Sequence, residues 1–87
     1  MPVRIHLNLS LQQVTNREVI SVRGNSVIAC LEDLIKQYPR AREHVFNRDG
    51  SLALLVLLNN EPLPGQDLNH PVTGADELWL LSIVSGG

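Results

Sequence analysis

The sequence is poor in cysteine, aromatic side chains, basic charge and long apolar runs, and each shortage excludes something. Cys30 is the only cysteine, so no disulfide can form within the chain, which fits a reducing cytoplasm. The aromatics are Tyr38, Phe46 and Trp79. They are too few for stacking platforms that hold single-stranded nucleic acid, and the core must be aliphatic. The net charge of −2 lacks the basic excess that a nucleic-acid partner requires. The longest apolar run, Leu52 to Leu58, falls far short of the roughly 20 residues that span a bilayer. The start, Met1-Pro2-Val3-Arg4, has no apolar stretch of the signal-peptide kind. No P-loop, dinucleotide fingerprint or Gly-x-Ser-x-Gly elbow occurs, so the chain has no device for activating a substrate with ATP by itself. His6, His44 and His70 fall on separate predicted elements without metal-ligand spacing, and no metal site is expected.

The chain has 87 residues, enough for one domain with one core and little volume for a deep active site. Apolar residues make up 44% and charged residues 18%, a globular composition. Val3, Ile5, Leu7, Leu9 and Leu11 alternate with polar residues, the period of a half-buried strand. Thr15-Asn16 reads as a turn and Glu18 to Arg23 as a second strand, which together predict an opening hairpin. Gly24-Asn25-Ser26 breaks that strand, and Ser26 is placed to cap a helix. Behind it Val27, Leu31, Leu34, Ile35 and Tyr38 share one helical face with Cys30, and Pro39 ends the helix. On that face Cys30 reads as a small buried hydrophobe rather than a sulfur-handling thiol.

Arg40 to Phe46 reads as a short helical piece, and Asn47-Arg48-Asp49-Gly50 as a turn. Arg40, Arg42 and Arg48 suit a solvated loop better than a contact with an acidic partner. Ser51 to Leu58 and Glu77 to Val84 are strands apolar on both parities. Between them, Asn59-Asn60 is a turn, Glu61 to Leu63 a short edge strand, and Pro64 to Gly74 irregular with Asp67 and Asn69 as capping residues. The order β-β-α-(short helix)-β-(β)-β predicts an α+β domain over residues 1–84, with one main helix on a mixed sheet of four to five strands. Residues 85–87 read as a flexible Gly-Gly tail. Leu78, Trp79, Leu80 and Leu81 cannot all face one side of a sheet. The excess either packs under loops or forms a patch in which Trp79, Leu81 and Ile83 dock a partner.

Four features together resemble the family of the molybdopterin synthase small subunit and the thiamine-biosynthesis sulfur carrier (the MoaD/ThiS-like family). They are the opening hairpin, the capped helix ending in Tyr38-Pro39, the strand entering the Asn-rich turn Val56-Leu57-Leu58-Asn59-Asn60, and the Gly74-Ala75-Asp76-Glu77 turn into a strand that leads to Val84-Ser85-Gly86-Gly87. The resemblance spans nearly the whole chain and implies the ubiquitin-like β-grasp fold. It also implies a carrier rather than a catalyst, with no bound cofactor. On this reading an E1-like adenylyltransferase uses ATP to adenylate the carboxylate of Gly87. A sulfurtransferase or other sulfur donor then converts it to a thiocarboxylate, and a downstream acceptor enzyme takes the sulfur. Val84, Ser85, Gly86 and Gly87 would thread the partner's active site, where a Cβ would collide with the channel walls. The alternatives left open are a ubiquitin-like modifier conjugated through Gly87, a small subunit of molybdopterin synthase, and a β-grasp module that binds partners only noncovalently.

Overall fold

The computed structural model describes residues 2–83. The strand expected from Val3 is cut short. β1 spans Val3–His6, and the chain then turns into a helix, α1, over Leu9–Thr15. Leu7, Leu9 and Leu11 satisfy the strand period, but Leu7, Leu11 and Thr15 are also one helical turn apart, and these three are buried while Leu9 is exposed. Asn8 decides between the two periods. Its side chain accepts the Leu11 amide and caps α1, and Asn16 closes the helix in the left-handed region at φ 59°. The expected opening hairpin is thus an antiparallel pair joined through a helix. β2, Val19–Val22, lies against β1 with Ile5 opposite Ile20.

Ser26 caps α2, Val27–Gln37, by accepting the Ala29 amide. The next free amides of the helix are taken by the irregular loop: Val27 and Ile28 donate to the carbonyls of His70 and Leu68 at 3.0 and 2.7 Å. Tyr38, extended before Pro39, ends the helix. A 3₁₀ turn at Pro39–Ala41 and α3, Arg42–Val45, follow. β3 is Leu54–Leu58, shorter than expected, because Leu52 makes only an isolated bridge to Phe46. Asn59 and Asn60, both at positive φ, turn β3 into β4, Glu61–Pro62. Pro64–Gln66 forms a second 3₁₀ turn, and β5 runs Glu77–Ser82.

The sheet order is β2-β1-β5-β3-β4. β5 occupies the centre, parallel to β1 and antiparallel to β3. One face of this mixed sheet carries Val3, Ile5, Ile20, Val22, Leu54, Val56, Leu78 and Leu80, all buried in the core. From the helix side Val27, Cys30, Leu31 and Leu34 fill the same core, with Ala41 and Val45 from the next turns. This is the α+β architecture anticipated from the element order and the ubiquitin-like β-grasp fold that the resemblance implies; its five strands fall within the four to five expected, and α1 is the unanticipated part.

Candidate functional site

The strand period places alternate side chains of β5 on opposite faces. Leu78 and Leu80 enter the core, so Glu77, Trp79 and Leu81 lie on the face that no helix covers. Register brings neighbours to the same face. His6 lies opposite Trp79, Arg4 opposite Glu77, Leu57 opposite Trp79 and Leu55 opposite Leu81. The result is a two-part surface. Trp79, Leu81, Leu55 and Leu57 form an apolar half, with Leu81 39% exposed and Ile83, just past the strand, 57% exposed. Arg4, His6 and Glu77 form a polar ledge beside it.

That ledge is ordered by direct contacts. The imidazole of His6 stacks on the indole of Trp79, centroids 4.2 Å apart and planes 4° from parallel. Nε2 of His6 lies 2.6 Å from Oε1 of Glu77, and Arg4 reaches Oε2 at 3.0 Å. The hydrogen bond from His6, then the charge of Arg4, hold the Glu77 carboxyl below the usual carboxylate range. Trp79 is thereby fixed in one orientation while its outer surface stays partly open.

The proposed docking residues Trp79, Leu81 and Ile83 all sit at this face or its end. Leu55, Leu57, Arg4 and His6 were not expected at this face, because only strand pairing brings β1 and β3 beside β5; Glu77 lies on β5 itself and joins the site through its β1 partners. Val84, Ser85, Gly86 and Gly87 lie outside the described residues, as does the division at residue 84. Cys30 is fully buried on the core face of α2, its thiol pushed up to about 11 by burial first and by the nearby Asp33 charge second. Arg40, Arg42 and Arg48 are exposed and in no ion pair among the described residues. Among those residues no three His, Cys, Asp or Glu side chains converge as a metal site would need. No helix among them is long and apolar enough to cross a membrane. A broad concavity lies between α2 and the 46–50 turn, lined by Ile28, Ile35 and Phe46 with a mixed-charge rim. It includes no residue of β5.

The model of the ThiS family matches residues 5–87, nearly the entire chain and its last two glycines included. The chain belongs to the ThiS family. It is therefore a member of the ubiquitin-like β-grasp group that its motifs resemble. A search of the curated proteins finds no match. Among solved structures, SAMP1 from Haloferax volcanii is 28% identical with a TM-score of 0.84, each chain covered in full. CysO, in the Amycolatopsis orientalis BexX/CysO complex, gives 19% identity and a TM-score of 0.81, with 98% of this ThiS-family chain and 99% of that chain covered. The complex of subunits 1 and 2 of the molybdopterin-converting factor from Helicobacter pylori gives 20% identity and a TM-score of 0.65, each chain covered in full. At such identities the last two support the fold alone.

Proposed function

We propose that this ThiS-family protein is a sulfur carrier whose reactive group is the carboxylate of Gly87. The observation that carries the reading is the family match running through Gly86-Gly87 on a chain whose last strand is central to the sheet. A free α-carboxylate, with a pKa of about 3.5, is anionic at neutral pH and a poor electrophile. Its oxygen attacks the α-phosphorus of ATP in the site of an E1-like adenylyltransferase, and pyrophosphate leaves. A sulfide-level nucleophile from a sulfurtransferase or other donor then attacks the acyl carbon. The C–S bond forms as the C–O bond to the phosphate breaks, AMP leaves with that oxygen and its electron pair, and the terminus becomes a thiocarboxylate. Ionised and nucleophilic, it delivers sulfur to an acceptor enzyme. The carrier itself supplies no catalytic group, binds no cofactor, and works in the cytoplasm where ATP and reduced sulfur coexist.

Docking falls to the open sheet face. Trp79, Leu81 and Ile83, with Leu55 and Leu57, offer an apolar contact that needs little rearrangement, because the His6 stack already holds Trp79 in place. In the sequence, Val84 to Gly87 follow directly after Ile83. A few extended residues span roughly 10–14 Å, enough to enter a partner's site while the domain stays outside.

A second reading has its own support. One structure similar over 95% of this chain, at 26% identity, is named the H. volcanii small archaeal modifier protein 1. A modifier would share the adenylation step and end as an amide on a target lysine. Intact-mass spectrometry of the protein from its native host separates the two. A mass gain equal to one oxygen replaced by one sulfur, localised to Gly87, is the expected result. Isopeptide-linked ladders together with an unaltered free terminus would replace the carrier reading with the modifier. Removal of Gly86-Gly87 without effect in the cell would overturn both.

A further inference from the structure

The parallel ladder between β1 and β5 ends at His6 opposite Trp79, because the chain bends into α1 two residues later. β5 continues through Leu80 and Leu81 to Ser82. On the β3 side these residues stay paired, with Ser82 opposite Leu54. On the β1 side a side chain takes over. Nδ2 of Asn8 donates to Oγ of Ser82 at 3.1 Å. The same Asn8 accepts the Leu11 amide through Oδ1 at 2.9 Å as the cap of α1. That capping bond already restricts the Asn8 rotamer, so the second bond costs little further side-chain entropy.

We propose that Asn8 is a positioning residue: it ties Ser82 to the start of α1 and so sets the direction in which the chain leaves β5 toward Gly87. The functional consequence rests on the carrier or modifier reading above. With Ser82 held on both sides, Ile83 leaves the strand over a narrower range of directions. A larger fraction of docked encounters then brings the terminal acid into the partner's site. Docking itself uses the open face, on which neither Asn8 nor Ser82 lies. The tie should therefore act on turnover rather than on affinity. Leu9, 68% exposed at the start of α1, follows Asn8 in the chain, and Ile83, 57% exposed, follows Ser82, so each end of the tie is succeeded by an exposed apolar residue.

Three variants test it. Ser82→Ala removes the acceptor and leaves the α1 cap. Asn8→Ser keeps a capping oxygen but is too short to reach Ser82. Asn8→Asp keeps the cap and can accept a hydrogen bond from the Ser82 hydroxyl, remaking the tie in the reverse sense. Amide relaxation at Ile83 is expected to show more fast motion in Ser82→Ala and Asn8→Ser than in the wild type, and recovery in Asn8→Asp. Pyrophosphate exchange with ATP and the host's adenylating enzyme should show kcat lowered roughly three- to tenfold in the first two variants with KM unchanged, and again recovery in Asn8→Asp. Wild-type motion at Ile83 in both Ser82→Ala and Asn8→Ser overturns the tie, whatever the enzyme does. Loosened Ile83 with undiminished kcat overturns its role in positioning. A wild-type chain that supports no exchange at all overturns the adenylation reading instead, and Ile83 alone then decides the tie.

Discussion

Glu77 meets two partners from one neighbouring strand: Nε2 of His6 2.6 Å from Oε1, and the guanidinium of Arg4 3.0 Å from Oε2. Both contacts come from β1, which pairs in parallel with β5. They join the first strand of the chain to the last one described, and they hold the polar half of the open face beside Trp79.

This relationship predicts an acid limit to stability. The Glu77 carboxyl is lowered first by the His6 hydrogen bond. Asp33 is lowered first by the Arg23 amide, and Asp76 first by the Asn59 side chain. A carboxyl with a folded pKa below its unfolded value contributes stability in full above the unfolded value, and loses it as pH falls through the lowered one. The melting temperature should therefore hold steady from neutral pH down to about 5 and fall steadily below about 4. Thermal melts across that range check it. Stability that rose on acidification below pH 4 would contradict these contacts.

Leu80 and Leu81 are adjacent in β5 and opposite in consequence. Leu80 is fully buried, and Leu80→Ala should destabilise the fold by about 2–5 kcal/mol. Leu81 is 39% exposed, and Leu81→Ala should change stability by no more than about 0.5 kcal/mol. Denaturant unfolding measures both. Pull-down of the proposed adenylating partner should be weakened by Leu81→Ala while the melt stays put, and the reverse pattern would remove the open face as a docking surface.

Gly24 lies where β2 passes the first turn of α2. A Cβ there would sit 2.7 Å from the Cys30 amide nitrogen and 2.9 Å from the Ala29 carbonyl carbon, both backbone atoms. Neither can swing aside as a side chain would. Gly24→Ala is expected to lose about 1–3 kcal/mol, measured by chemical unfolding, through separation of β2 from α2. A neutral result would mean that the two elements shift apart freely.

The Cys30 thiol is expected to be inert in the folded protein. It is fully buried, and its pKa near 11 leaves little thiolate at pH 8. Reaction with a thiol reagent should be slow in buffer and fast in denaturant. Cys30→Ser, if folded, should still acquire the proposed thiocarboxylate. Loss of that modification in a folded variant would give Cys30 a part in sulfur handling.

Much of the domain was legible because its signals are local. Ser26, the face of Val27, Leu31 and Leu34, and Pro39 bound α2 as expected. The Asn59-Asn60 turn and the start of β5 at Glu77 also match. The segment from Leu7 to Thr15 was misread because its apolar residues satisfy both periods. Asn8 and Asn16 were the deciding signals: an Asn before and after an ambiguous run is cap chemistry at both ends. The open face was half visible. Alternation predicted that β5 has apolar residues to spare, but not which strands stand beside it.

By itself the sequence determined the family, the main helix, the late strands and the diglycine ending, since each depends on residues close together in the chain. The tertiary structure alone decided that β5 lies between β1 and β3, that His6 stacks on Trp79, and that Asn8 meets Ser82. The contacts that His6 and Asn8 make with β5 join positions more than seventy residues apart. Burial of one common aliphatic core selects them, and local periodicity carries no information about which distant strand will share it.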